Sequence, residues 1–441
     1  MVLALSHENA IIFLYKIMSK ISLEPYKGVR DFYPEERAVQ NYIFRVWQKV
    51  AESYGYERYN ASILEPLDLY KSKSNEEIVN EQIYSFKDRG DREVALRPEM
   101  TPTVARMIAN KINEIPFPAR WYSIGSFYRY EKPQRGRHRE FWQLNVDLFG
   151  NKSISSDIEI VSMAPTIMKA FGAKEEDYVL YVNSRELMDD LYDSLEIPVK
   201  DRQAISRIID KKDKISEETF RDSLKELASE KATEQLTSLL NSKNAIFEKL
   251  GDKESAKYLL DLLEKLTKIG IKNIEFNPNL VRGFDYYTGI IFEVFDTNKE
   301  NNRSVFGGGR YDELVEMFSG KEVPAVGFGM GDVTIQNFLE THNLLPKFES
   351  TTKIWICLAP DTAAEEADKV GNKLRKIGIN TAIDISGRKL GDQIAGAEKR
   401  KIPYVLVVGK DELEKGQFKL KNIETREEKE CSLEEIVKMI Q

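Results

Sequence analysis

The sequence predicts an α+β protein: an antiparallel sheet with helices, interrupted by a helical block and followed by a separate α/β domain. Three observations predict it. Residues 121–130 and 140–149 read as two strands joined by a short, polar, basic turn, the pattern of an antiparallel hairpin. From about Ser184 to Asn273, charged and apolar residues alternate at helical spacing with almost no strand signal. Beyond Leu345-Pro346-Lys347, short apolar strands alternate with helices, as in an independent α/β unit. At 441 residues the chain also exceeds what one hydrophobic core usually serves.

The elements follow in order. Residues 36–54 carry Val39, Ile43, Trp47 and Val50 at helical spacing and stop at Gly55. Strand-like runs come next at 56–63, 83–86 and 94–96, and Pro102 opens a helix with Val104, Met107 and Ile108 on its apolar side. Within the helical block, 233–250 and 256–269 are the clearest helices. Strand patterns return at 274–276 and 288–295, followed by Gly307-Gly308-Gly309 and a helix from Asp312. The last domain reads strand 353–358, helix 362–377, strand 380–385, helix 389–400, strand 404–408. No low-complexity segment and no fixed-period repeat is present.

Composition narrows the function. With 41% hydrophobic and 31% charged residues the chain is globular rather than disordered or fibrous. A net charge of -7 means that any nucleic-acid partner must be met by local basic patches. Two cysteines, Cys357 and Cys431, cannot build a disulfide framework or a four-ligand zinc site, and Cys357 in an apolar run reads as a buried reduced thiol. The three histidines, His7, His138 and His342, are widely spaced and form no HExxH pattern, so no metal site is expected. The apolar stretch 10–15 is too short to span a bilayer and lacks secretory features. A cytoplasmic protein without a membrane partner is expected, with an extended N-terminus or a true start at Met18-Ser19-Lys20.

Four constellations carry chemistry. Between Arg129 and Arg139 stand five Lys/Arg against one Glu, a local charge of +4 on an acidic protein. On a hairpin turn, such guanidinium groups can meet a polyphosphate bidentately, and Phe141 offers a flat face to a base. On composition alone, a solvated basic hairpin accounts for the run equally well. Upstream, Leu96-Arg97-Pro98-Glu99-Met100-Thr101-Pro102 sets a carboxylate and a hydroxyl on one side of a strand-to-helix junction; Thr101 would also serve as N-cap before Pro102. In Arg282-Gly283-Phe284-Asp285-Tyr286-Tyr287, an arginine and paired tyrosines can wall a polar, aromatic pocket. Phe306-Gly307-Gly308-Gly309-Arg310-Tyr311 lacks Rossmann or P-loop spacing, and its glycines would let backbone approach a ligand.

In this order the four blocks resemble the histidyl-tRNA synthetases of class II. Glu99-Met100-Thr101 and residues 129–149 are similar to the family's motif 2 region. Arg282 to Tyr287 and Gly308-Gly309-Arg310-Tyr311 are similar to its two histidine signatures, and residues 325–331 to the start of motif 3. The likeness runs from Gly28-Val29-Arg30-Asp31 through the C-terminal block. It implies a class II catalytic domain in two parts (20–184 and 255–345), a helical insertion (185–254) and an anticodon-binding domain (351–441). It also implies ATP with Mg²⁺, histidine and the transfer RNA for histidine as substrates, and a homodimer.

The resemblance further implies roles. Arg129 and Arg282 would be catalytic, Arg129 on the α-phosphate and Arg282 bridging it to the histidine carboxylate. Glu99, Thr101 and Gln143 would receive the α-amino group. Asp147 with Tyr287 would read the imidazole, beside Tyr286 and Tyr311. Glu131 would read adenine, Phe141 would stack on it, and Arg137 would lie near the outer phosphates. Gln134 and Arg139 would meet the transfer RNA. Two positions depart from the family. The motif 3 arginine that packs on ATP is replaced in Asp332-Val333-Thr334, with Arg310 as the expected compensating ATP ligand and an archaeal-like variant as the reading. The motif 1 proline is missing at Asn60-Ala61-Ser62, with Pro66 slightly later. The alternative function is a non-catalytic paralogue such as the regulatory subunit of ATP phosphoribosyltransferase.

Overall fold

The chain divides into two compact units between Pro346 and Lys347. The computed structural model describes residues 22–71, 81–281, 286–301, 303–360, 362 and 364–440, without the side chains of 213 and 243. The start expected at Met18 and the candidate catalytic Arg282 lie outside the described residues.

Helix α1 (Pro34–Ser53) opens the first unit with Pro34 in its first turn and buries Ile43, Trp47 and Val50. Short strands β1 (Glu57–Arg58) and β2 (Leu64–Pro66) and the single turn α2 (Asp68–Lys71) follow. Next come β3 (Tyr84–Lys87), β4 (Glu93–Leu96), α3 (Thr101–Asn110), and the long hairpin β5 (Ala119–Tyr128) and β6 (Glu140–Phe149). Helix α4 (Ile154–Ala170) leads to β7 (Tyr178–Ser184). The helical block is α5 (Arg185–Ser194), α6 (Val199–Ile209), α7 (Glu217–Lys225), α8 (Glu230–Asn241), α9 (Lys243–Leu250) and α10 (Glu254–Lys268). The chain then returns through β8 (Ile274–Phe276), β9 (Ile290–Asp296), β10 (Ser304–Arg310), the single turn α11 (Glu316–Ser319), β11 (Ala325–Gly331) and α12 (Asp332–Thr341).

Eight of these strands form one sheet in the order β1-β5-β6-β11-β10-β9-β7-β8, antiparallel except at its two outer pairs. A smaller antiparallel sheet has the order β2-β4-β3. Because strand side chains alternate in direction, the large sheet has two different faces. One is apolar: Leu144, Val146 and Leu148 of β6 and Val326, Phe328 and Met330 of β11 are buried with Trp47 of α1 and Ile160, Ile167 and Met168 of α4. The other carries Gln143, Asn145 and Asp147 opposite Gly331, Gly329 and Gly327.

Several expectations are corrected. Gly307 to Gly309 belong to strand β10 in the middle of the sheet, where neighbouring backbone leaves no room for a Cβ. The helix expected from Asp312 is only the turn α11, because the Asp312 carboxylate accepts from Ala325 N at 3.0 Å and leads the chain into β11. The helix read over 233–250 is broken at Ser242, which is extended (φ -132, ψ 98). Thr101 is the first helical residue, not the cap; Met100 holds that position in an αR conformation without a side-chain bond.

The second unit is β12 (Ile354–Leu358), α13 (Ala364–Lys376), β13 (Thr381–Ile383), α14 (Leu390–Lys399), β14 (Tyr404–Val408), α15 (Lys410–Lys415), β15 (Phe418–Asn422), β16 (Glu428–Cys431) and α16 (Leu433–Ile440). Its sheet runs β13-β12-β14-β15-β16, parallel in the first three strands and antiparallel in the rest. Cys357 and Cys431 are free and buried, and burial pushes the Cys357 thiol up to about 12.

A buried ion pair locks the large sheet to its helices. Arg310, at the end of β10, donates to Asp157 Oδ1 of α4 from Nε (3.0 Å) and Nη2 (2.7 Å), and to Asp312 Oδ1 at 3.1 Å. Tyr258 of α10 donates to the other Asp157 oxygen. Removing one partner leaves a buried charge without compensation, whereas replacing both by apolar groups does not. Arg310→Ala is therefore expected to cost about 3–5 kcal/mol in urea unfolding. The double change Arg310→Met with Asp157→Leu should cost less than Arg310→Ala alone.

Candidate active site

The polar face of the sheet opens into a cavity of about 420 Å³, lined by Glu99, Thr101, Gln143, Asn145, Asp147, Tyr286, Tyr287 and Tyr311 around glycines of β10 and β11. Its floor exists because side chains are missing there. A Cβ at Gly329 would lie 2.2 Å from Gln143 Nε2, and one at Gly327 2.2 Å from Asp147 Oδ1. The β6 side chains thus lie over bare backbone of β11.

Two buried carboxylates mark the cavity. Tyr311 donates to Asp147 Oδ1 at 2.5 Å, and Tyr286 donates to Glu99 Oε2 at 3.0 Å. Burial pushes Asp147 up to about 7, with the Tyr311 hydroxyl pulling the other way. The rings of Tyr286 and Tyr287 meet edge-to-face at 5.1 Å, and those of Tyr286 and Tyr311 at 5.8 Å. Burial raises all three tyrosines, so they stay neutral donors. Such a cavity suits a small ligand with cationic or N–H groups and a polar ring: carboxylates and an amide accept from the former, and hydroxyls meet the latter.

A second, larger cleft of about 980 Å³ shares Gln143 with the first. Arg129, Glu131, Arg137, His138 and Phe141 line it from the β5–β6 hairpin, and Glu293, Arg303, Ser304 and Thr334 line it from β9, β10 and α12. Arg129 donates from Nε to Pro98 O at 3.0 Å and lies over the Phe141 ring at 5.4 Å. Arg137 Nε sits 3.1 Å from Glu131 Oε2. Burial and the Arg30 charge lower His138.

Among the described candidates, the sheet and hairpin bring Glu99, Thr101, Gln143, Asp147, Tyr286, Tyr287 and Tyr311 to one cavity, and Arg129, Glu131, Arg137 and Phe141 to the other. Arg310 joins neither; the Asp157 ion pair consumes its guanidinium, which corrects its expected role at ATP. Arg139 is also corrected. It is 8% exposed, donates to Tyr26 Oη at 2.9 Å and stacks over Tyr130 at 3.9 Å, so it clamps the N-terminal segment instead of facing a nucleic acid. Gln134 remains exposed at the hairpin tip, paired with Arg137.

Sequence reasoning missed Asn145, Glu293 and Arg303. Asn145 is spaced two residues from Gln143 and from Asp147, so strand alternation alone points it into the same cavity, where its buried Nδ2 has no hydrogen-bond partner. Arg303 precedes a strand the glycines concealed.

Residues 28–333 match the family model of histidyl-tRNA synthetase, and residues 353–441 that of an anticodon binding domain. The histidine–tRNA ligase of Leptospira biflexa is 44% identical over 427 residues, covering 96% of this chain and 98% of that protein. The histidine–tRNA ligase of Pyrococcus horikoshii is 36% identical over 427 residues, covering 94% and 98%. The fold matches the crystal structure of histidyl-tRNA synthetase from Nostoc sp. PCC 7120 with a TM-score of 0.80 at 24% identity, over 95% of this chain and all of that one. This chain belongs to the histidyl-tRNA synthetase family.

Proposed function

We infer that this protein is a class II histidine–tRNA ligase, which joins histidine to the 3′ end of its transfer RNA at the expense of ATP. The observation that carries the reading is the cavity with buried Asp147, Glu99 and three tyrosines, opening beside an arginine-lined cleft. We assign Glu99, Thr101 and Gln143 to the α-amino group, Asp147 and Tyr287 to the imidazole, and Tyr286 and Tyr311 to the walls. Arg129 holds the α-phosphate, Phe141 stacks on adenine, Glu131 reads its amino group and Arg137 meets the outer phosphates. Arg282 bridges carboxylate and phosphate, an assignment that rests on the family signature alone. Gln134 approaches the acceptor end of the transfer RNA.

No protein nucleophile is needed. A histidine carboxylate oxygen attacks the α-phosphorus, and the bond to pyrophosphate breaks. A terminal ribose hydroxyl of the transfer RNA then attacks the acyl carbon, and AMP leaves. The protein contributes position and fixed positive charge. Mg²⁺ enters with the nucleotide as part of the substrate. We also propose a cytoplasmic homodimer of two catalytic segments (20–184 and 255–345), an insertion (185–254) and an anticodon-binding domain (351–441). No helix among the described residues is long and apolar enough to cross a membrane.

Pyrophosphate exchange into ATP should depend on histidine and on no other amino acid. Arg282→Ala should slow it by at least about 100-fold, the scale of losing one charge-stabilising donor. Exchange with a different amino acid would overturn the substrate, and no exchange from folded protein would favour the regulatory paralogue.

Asp147 adds a pH signature. Its folded pKa of about 7 lies above the ordinary aspartate value of 3.8, so the folded protein binds the proton more tightly than the unfolded chain. That stabilising contribution is complete below the unfolded value and is lost as pH rises to about 7. Asp147→Asn, which has no charge to bury, should therefore gain melting temperature over the wild type between pH 5 and pH 8, roughly the interval around that titration. In exchange assays it should raise KM for histidine at least about ten-fold, the loss of one charge-assisted hydrogen bond, and leave KM for ATP nearly unchanged.

A further inference from the structure

Among its described residues, the arginine-lined cleft owes its net positive charge to a residue that the assignments above leave out. On its described lining, Arg129 and Arg137 are matched in number by Glu131, which pairs with Arg137, and Glu293, and these four formal charges cancel. Burial and the Arg30 charge lower His138 and so disfavour its cationic form. A triphosphate brings several negative charges, and a cleft of zero formal charge does not favour it over water. Among the described residues, Arg303 is the remaining cation on the lining and makes that described set net positive; Arg282, assigned to the α-phosphate, lies outside it.

Its position is built, not incidental. Arg303 lies just before β10, where the pairing with β9 shifts register between Ser304 and Phe306. Thr334, in the first turn of α12, donates from its hydroxyl to Val305 O at 2.6 Å and pins the start of that strand. The loop before it is anchored as well: Asn301 Nδ2 donates to Asp296 Oδ2 at 2.7 Å and to Thr341 Oγ1 at 3.1 Å. Gly136, at the tip of the β5–β6 hairpin with φ +79, closes over the arginine stem; a Cβ there would lie 3.6 Å from Arg303 Cδ and 4.0 Å from Thr334 Cγ2. The Arg303 side chain therefore borders both the large cleft and a smaller one of about 360 Å³ under the hairpin tip, which Arg135 also lines.

We propose that Arg303 is a nucleotide-binding residue that holds the phosphates beyond the α-phosphate, across the cleft from Arg137. This deepens the reading of the cleft as an ATP site and rests on it. It explains how Thr334 can stand at the start of α12: the short side chain sets the strand that delivers the cation, and does not deliver a cation itself. Arg310, locked to Asp157, is excluded from that task.

The test is direct binding of a non-hydrolysable ATP analogue and of AMP, both with Mg²⁺, to wild type, Arg303→Ala and Arg303→Lys. In Arg303→Ala, affinity for the triphosphate should fall at least about ten-fold, the effect of one charge-assisted contact, while AMP affinity stays within about two-fold. Arg303→Lys should fall between, because it keeps the charge but not the fork. Equal triphosphate affinity in Arg303→Ala and wild type would overturn the proposal, as would an equal loss for AMP, which would mean a general distortion of the cleft. Histidine-dependent exchange in the wild type is scored separately. Its absence would count against the ligase reading, and a selective triphosphate defect would still stand.

Discussion

The close approach of β11 to the side chains of β6 is the constraint on which the site depends. At Gly329 and Gly327 a single methyl group would lie 2.2 Å from Gln143 Nε2 and Asp147 Oδ1. Bare backbone at those positions gives a polar cavity its depth within a continuous sheet. The arrangement is costly, since glycine inside a strand loses roughly 0.5–1 kcal/mol relative to alanine. The opposite face compensates: Val326, Phe328 and Met330 alternate with those glycines and bury against Trp47 and the helices. One strand thus serves core and pocket by strict alternation.

Charge is divided in a similar way. Some ionised groups are fully engaged in holding the frame. Arg310 binds Asp157, and Arg97 donates to the Ser126 and Ala61 carbonyls at 2.9 and 3.0 Å. Asp332 accepts from Trp142 N at 2.9 Å and from Arg30 at 2.7 Å, joining the start of α12 to β6 and to the N-terminal segment. Others border the cavities, and there burial has a visible price in Asp147, whose carboxyl is held near pH 7. A pocket that desolvates a carboxylate to this degree favours a ligand able to donate a hydrogen bond or a proton to it, and a histidine side chain can do both.

Much of this was legible in the sequence, for identifiable reasons. The hairpin of β5 and β6 was readable because two ten-residue strand-like runs flank a basic turn, and the second unit because its strands and helices alternate. The candidates on β6 and the hairpin could be singled out because the signature blocks preserve their order. What stayed hidden was decided by tertiary packing. Strand β10 has three consecutive glycines, a composition that argues for a loop, and only flanking backbone makes it a strand. Arg310 and Arg139 look like ligands on composition, because nothing local discloses that Asp157, some 150 residues away, or Tyr26 will occupy them. Arg303 was passed over for the same reason: its role depends on a strand that could not be read.

Equilibrium binding of histidine to Gly329→Ala shows whether absent side chains on β11 build the amino-acid pocket. The three atoms nearest the added methyl belong to the side chains of Gln143 and Asn145, so the sheet can persist. Histidine affinity should fall at least about ten-fold while nucleotide affinity and melting temperature stay close to wild type. Unchanged histidine affinity in the folded variant would contradict it.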